Sequence, residues 1–199
     1  MRLIELTTVP GAALPVQGLK AHLRLGTGFT DDGMQDALVE SYLRAAIAAI
    51  EGRIGKALIA RRFLWQLEDW RNPSEQALPV APVTAIVSVT LVDAAAASTL
   101  VSTDRYRLVP DTHRPKLAAM GTLLPTVPNE GRIEVVFDAG FGATWPLVPA
   151  DLAQAVLLLA AEFYEHRHDL GAVAAGLPFA VQALIERWRT VRVLGGGAA

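Results

Sequence analysis

The chain has 199 residues, no cysteine and a formal net charge of -2 at pH 7. The lack of cysteine excludes disulfides, thiolate zinc sites and cysteine nucleophiles, and the small net charge excludes a polycation that coats nucleic acid. A chain of this length buries roughly 70% of its extended surface when it folds, so its core needs no covalent support.

The N-terminal residues contain no long apolar run and no cleavable signal pattern, so we do not expect export through a membrane. The longest wholly apolar block in a helical context runs from Ala155 to Ala161. Since a membrane span needs about 20 apolar residues, we expect a protein made in the cytoplasm that has no membrane partner.

Two helices are predicted in the first third of the chain. The first covers residues 15–25, and the second covers residues 31–54, with Thr30 as its cap and an end near Gly52 and Gly55. Its apolar positions recur at helical spacing: Met34, Leu38, Tyr42, Ala46, Ile50 and Ile54.

A change of hydrophobic period at Arg62, from about 3.6 residues to two, predicts strands instead of helix. The predicted strands are 63–67, 83–92, 99–101, 106–109 and 132–137. The sequence therefore predicts three consecutive parts and a tail: N-terminal helices over 1–61, an inserted antiparallel β unit over 62–140, C-terminal helices over 141–190, and a flexible tail over 191–199.

The helix predicted after Pro149 is apolar on nearly every side. A helix of this kind must be buried on all sides, and a chain of 199 residues has few elements to surround it. We therefore predict that neighbouring copies of the chain cover part of it, at Leu157, Leu158, Ala161 and Tyr164. Burial by the long helix and the β unit of the same chain is the alternative.

The last predicted helix begins with Pro178 and ends in a cluster of cations beside an aromatic residue. Arg187, Arg189 and Arg192 accompany Trp188 there, with Glu186 as the only acid nearby. Such a cluster fits either a docking end for an acidic protein surface or a small DNA-binding protein.

The stretch "FYEHRHD" at residues 163–169 invites a metal-site interpretation, because Glu162 and His166 are spaced by one helical turn and His168 and Asp169 follow. The helix ends here, however, and cationic side chains in a last turn face the negative end of the helix dipole. We predict a structural helix end and no metal site; a metal-dependent hydrolase stays as an alternative function.

No set of residues predicts catalysis or cofactor binding. None of the serines lies in a GxSxG motif, and Gly140-Phe141-Gly142 lacks the sequence context of a phosphate loop. We therefore predict no enzyme activity, no catalytic residue and no cofactor.

Four stretches, taken in order, resemble the head-to-tail connector, or adaptor, proteins of long-tailed bacteriophages and phage-like gene transfer agents. They are "VQGLKAHLRL", the acid-led "DDGMQDALVESYLRAAIAAIEGRIGKAL", the strand entry "LPVAPVTAIVSVTLVDA", and "VVFDAGFGATWPLVPADLAQAVLLLAAEFYEHRHD". The resemblance covers about residues 16–190.

The resemblance implies a mainly α, α+β fold, in which a helical bundle carries the inserted β unit. It also implies a homo-oligomeric ring, expected to be a dodecamer, that docks under the portal protein, extends the DNA channel and receives a tail-completion or stopper protein. DNA would pass through the lumen without sequence-specific binding.

Within this frame, we predict that the C-terminal end docks on the portal. The predicted docking residues are Arg187, Trp188, Arg189, Arg192, Val193 and Leu194. We also expect a neutral or acidic channel wall, because exposed arginines there would hold DNA phosphates.

Overall fold

The computed structural model describes residues 1–25, 35–167 and 176–189. They form four α-helices and eight strands, which confirms the predicted α+β class. The emphasis on helix was wrong, since the strands hold nearly as many residues as the helices and form two sheets with a core of their own. "Helical bundle" is likewise a poor description of the chain.

The helices are α1 (Val16–His22), α2 (Asp36–Ile54), α3 (Ala150–Glu165) and α4 (Phe179–Ile185). Helix α2 ends at Gly55, which has a left-handed φ of 68° and so provides the usual glycine cap. The predicted cap Thr30 lies outside the described residues, within which α2 begins only at Asp36.

The helices share one hydrophobic core, in which α2 packs against α3 and α4 adds Val181 and Ile185. The residues that α2 and α3 bury recur at spacings of three and four, as the sequence pattern requires. They are Val39, Leu43, Ala46, Ile47, Ile50 and Ile54 from α2, and Leu152, Ala155, Val156, Leu159, Ala160 and Ala161 from α3.

The strands form two antiparallel sheets. In chain order they are β1 (Arg2–Glu5), β2 (Arg61–Leu67), β3 (Glu75–Ala77), β4 (Val83–Val92), β5 (Ser98–Leu100), β6 (Tyr106–Val109), β7 (Lys116–Ala119) and β8 (Arg132–Ala139). The larger sheet has the order β1-β2-β8-β4-β5, and the smaller has the order β3-β7-β6.

One face of the larger sheet is buried in the second core. Phe63 of β2 stacks on Phe137 of β8 with ring centroids 5.6 Å apart, and Trp65 and Val135 continue the same face. This strict alternation is the reason that the sequence pattern located β2 and β8. Strand β4 was located by its run of β-branched residues, although two register shifts interrupt its alternation.

Strand β1 was not predicted. Arg2–Glu5 pairs antiparallel with β2, although the segment 1–61 was expected to contribute only helices. Strands β3 and β7 were missed as well. Strands this short have too few positions to show a period, and β5 and β6, which are equally short, were located because they follow the long strand β4 within the predicted β unit.

Candidate functional site

The C-terminal end is fixed on the start of α3 through one carboxylate. After α4, residues Glu186–Trp188 form a single 3-10 turn. The indole Nε1 of Trp188 donates a hydrogen bond to Oδ2 of Asp151 at 2.7 Å, and Nε of Arg187 lies 2.7 Å from the same oxygen. Asp151 thus binds two consecutive residues of this turn.

Two ring contacts complete the attachment of Trp188. Its ring meets that of Phe141 edge to face, with centroids 5.3 Å apart, and the guanidinium of Arg187 lies over the Trp188 ring, 4.7 Å from its centroid. Trp188 is therefore half-buried against its own subunit. Trp188 is one of the predicted docking residues, and its partner Asp151, 37 positions away, was not predicted.

The predicted docking residues are only partly within the described structure. Arg187 and Arg189 are exposed, and Arg189 pairs with Glu186 at 3.0 Å. Arg192, Val193 and Leu194 lie outside the described residues. Since both described arginines face a carboxylate, this turn is no free cationic cluster of the kind that a DNA-binding end needs.

The four predicted ring contacts on α3 have different environments. Ala161 is buried in the helical core of its own subunit, and Tyr164 meets Tyr42 of α2 edge to face at 5.9 Å. Leu157 and Leu158 are half-buried at the margin of that core. The same-chain alternative thus accounts for Ala161 and much of Tyr164, while the two leucines keep surface for a neighbour.

The "YEHR" stretch is a helix end, as predicted. Helix α3 stops at Glu165, and the amide of His166 donates to the carbonyl of Glu162 at 3.0 Å. Nδ1 of His166 lies 3.3 Å from the carboxylate of Glu162, with both side chains well exposed. Residues 1–25, 35–167 and 176–189 contain no group of three side chains that could hold a metal ion; His168 and Asp169 lie outside these ranges.

The "AGFG" turn joins the two parts of the fold at a close backbone approach. Gly140 has a φ of 138°, and a Cβ placed on it would lie 2.4 Å from Cα of Ala60. A Cβ on Gly142 would lie 2.4 Å from Cδ1 of Leu147. Chain packing, and not phosphate binding, thus explains both glycines.

A lysine is buried at the same junction. Lys56 is only 1% exposed, and its Nζ has no hydrogen-bond partner among the described residues. Burial lowers the pKa of Lys56, and the charge of Asp111 offsets part of this effect. Backbone hydrogen bonds from Arg114 and His113 lower the pKa of Asp111 and so keep it ionised.

Within the described part of the chain, no helix is long and apolar enough to cross a membrane. No protein-family model and no curated protein matches the sequence.

Three solved structures are similar to the chain over nearly its full length. A chain in the neck of an empty gene transfer agent particle, computed with C6 symmetry, is 58% identical, with a TM-score of 0.90. A chain in the virion of a native gene transfer agent particle is 59% identical, with a TM-score of 0.87, and one in the neck of a native particle, computed with C12 symmetry, is 55% identical, with a TM-score of 0.84. Each alignment covers 98% of this chain and 99% of the other.

Proposed function

Because the chain belongs to the head-to-tail connector proteins of gene transfer agents and long-tailed phages, we propose that it is an adaptor subunit that forms a ring in the particle neck. The ring docks under the portal, extends the DNA channel and connects the head to the tail. The observation that carries this proposal is the 58% identity, over 98% of the chain, to a chain in a particle neck.

A ring of twelve copies is the proposed stoichiometry. One similar neck was computed with C6 symmetry and another with C12 symmetry, and a twelve-fold ring contains both kinds of axis. Leu157 and Leu158 are the residues of α3 that we propose at the contact between copies, because they keep exposed surface beside the helical core. Ala161 has little exposed surface for this contact, and Tyr164 contributes only the part of its ring that Tyr42 does not cover.

The C-terminal end is the proposed docking element for the portal. Asp151 holds Trp188 and Arg187, so the last described turn of the chain has a fixed position on the subunit. The residues that follow include Arg192, Val193 and Leu194, which supply a cation and two apolar side chains for a partner surface. Ordering such a segment costs conformational entropy, which burial against the portal would offset.

The channel of the ring carries DNA without reading its sequence, and the next tail protein, a stopper, binds the face away from the portal. A neutral or acidic wall suits this role, since each cation that binds a phosphate must release it before the DNA can slide. The net charge of -2 and the pairing of Arg187 and Arg189 with carboxylates are compatible with such a wall.

The proposal is tested by producing particles without this chain. We expect heads that lack tails and that do not retain DNA, seen by electron microscopy and by nuclease protection of the packaged DNA. Restoring the chain from a second gene should restore both properties. Tailed particles that protect their DNA in the absence of the chain would contradict the proposed function.

A further inference from the structure

Strand β1 forms one open edge of the five-stranded sheet. The amide of Leu6 donates to the carbonyl of Arg62 at 2.8 Å, which fixes the alternation of hydrogen bonds between β1 and β2. By this alternation, the backbone groups of Arg2 and Ile4 face β2, whereas those of Leu3 and Glu5 face away from the sheet. No described residue, in 1–25, 35–167 or 176–189, forms a backbone hydrogen bond with this outer side.

Strand β5 forms the opposite edge. The amide of Val101 donates to the carbonyl of Val89 at 2.8 Å, so Thr99 is the residue of β5 whose backbone groups face β4. The amides and carbonyls of Ser98 and Leu100 therefore face outward. Among the described residues these groups, too, have no backbone partner.

Both edges expose large apolar side chains. Leu100 on β5 is 69% exposed, and Leu3 on β1 is 42% exposed. Neither strand contains a lysine, a proline or a bulge, which are three of the devices that protect an edge from pairing with another chain. Both strands are short, with four and three residues, and β1 carries the charges of Arg2 and Glu5, so each edge can receive only a short further strand.

The directions of the two edge strands fit a closed ring. The sheet has five strands, all antiparallel to their neighbours, so β1 and β5 run in the same direction. A cyclic symmetry operation repeats the sheet without reversing it, and β5 of one copy then meets β1 of the next as a parallel pair. This contact joins two different surfaces, which is the kind of interface that builds a ring.

The outward-facing backbone groups of the two edge strands can form the hydrogen bonds of a parallel pair. In a parallel pair, a residue whose amide and carbonyl face the neighbouring strand does not bond to the residue directly opposite. It bonds to the two residues on either side of that residue. With Leu100 opposite Ile4, the amide of Leu100 reaches the carbonyl of Leu3, and the amide of Glu5 reaches the carbonyl of Leu100.

The registers of the sheet place Leu100 and Ile4 on one face. Leu100 lies opposite Thr90, and Ile4 lies opposite Leu64; both belong to the face turned away from the buried core. The buried faces of neighbouring copies therefore also coincide. An antiparallel pair would set Leu100 opposite Leu3 or Glu5, whose side chains point to the other face, and would break the continuity of the sheet.

We propose that β5 of each copy pairs in parallel with β1 of the next copy, with Leu100 opposite Ile4, so that the sheets form a closed belt. This inference depends on the proposed ring. Five strands spaced about 4.8 Å apart give each copy about 24 Å of arc, and twelve copies then close a belt with a radius of at least about 46 Å.

Cysteine cross-linking tests the pairing directly. The chain has no cysteine, so a variant with Ile4→Cys and Leu100→Cys carries only the two introduced thiols. Mild oxidation of assembled particles should convert most copies into a ladder of covalent multimers. The matched control combines Leu100→Cys with Leu147→Cys, since Leu147 is exposed to a similar degree, 59%, but lies at the start of the helical part; it should give no ladder.

Necks that assemble but give no ladder, or that give the same ladder with the control pair, would overturn the strand pairing and leave the neck assignment standing. Absence of the wild-type chain from purified necks would overturn both. Should the double variant not assemble, Leu100→Lys is compared with Leu147→Lys. We expect at least a tenfold loss of rings for Leu100→Lys alone, and equal yields would overturn the pairing.

Discussion

Lys56 buries an ammonium group for which the described structure provides the charge of Asp111 and no hydrogen-bond partner. The side chain is 1% exposed, and its Nζ has no hydrogen bond among the described residues. Methionine has a similar length and no charge, so Lys56→Met should raise the free energy of unfolding at pH 7 by about 1–2 kcal/mol, the usual cost of an unsatisfied buried donor. Urea denaturation measures the difference, and a loss of stability would contradict this account of Lys56.

The stability gained by Lys56→Met should depend on pH. Burial lowers the pKa of Lys56 in the folded state, so the unfolded chain binds this proton more tightly than the folded chain does. Between the lowered folded pKa and the ordinary lysine value, the stability of the wild type rises with pH. The advantage of the variant should therefore shrink from pH 7 to pH 10, whereas a constant advantage would mean that packing alone causes it.

Gly140 is required by the backbone geometry of the "AGFG" turn. Its φ of 138°, together with the 2.4 Å that would separate an added Cβ from Ala60, predicts that Gly140→Ala lowers the free energy of unfolding by about 2–4 kcal/mol. The matched control is Gly52→Ala in α2, where the added methyl group would meet nothing within 4 Å beyond its chain neighbours and the backbone of its own helix. This change should stabilise the chain by about 0.5–1 kcal/mol. Equal effects of the two substitutions in urea denaturation would contradict the role given to Gly140.

At the scale of elements, the described C-terminal end is a turn attached to the start of α3, and we propose that residues 190–199 form the docking tail. Trp188 belongs to the attached turn, because it binds Asp151 and Phe141. A deletion of residues 190–199 should therefore keep the melting temperature within about 2 °C and lower attachment to purified portal at least tenfold, measured by co-sedimentation. Unchanged attachment would remove the tail from the docking surface.

A longer deletion, of residues 187–199, is the informative control. It also removes the hydrogen bond of Trp188 to Asp151 and the contact with Phe141, so it should lower the melting temperature as well as the attachment. A stability equal to that of the shorter deletion would show that the Trp188 contacts contribute little to the fold.

The long periodic elements were predictable, and of the short strands only β5 and β6 were located. Helices α2 and α3 and strands β2, β4 and β8 each repeat their apolar positions often enough to define a period. Strands β1, β3 and β7 have three or four residues and are defined by their partners, which the sequence does not indicate.

The residue types of the candidate site could be predicted from the sequence, but the contacts between them could not. Three arginines beside a tryptophan predicted a docking end, but the attachment of Trp188 depends on Asp151, which the sequence presents only as an acid in a first helical turn. The two residues meet because α4 folds back onto α3, and local periodicity carries no signal for such a contact.

At the scale of the whole molecule, we expected the apolar surface that one subunit leaves exposed to lie on α3. Among the described residues, most of it lies elsewhere. Helix α3 is largely enclosed by α2 and α4, with Leu157 and Leu158 at the margin. Larger exposed fractions belong to Leu100 at the sheet edge and to Phe179 at the start of α4. Contacts between copies should therefore involve the β part as well as the helices. The prediction of a mainly helical fold did not suggest this.

Electron microscopy of the purified chain mixed with purified portal tests the central claim most directly. The account predicts a twelve-fold ring stacked coaxially on the portal, with one continuous channel through both. Monomers that leave the portal bare, at concentrations where the portal itself is intact, would contradict it.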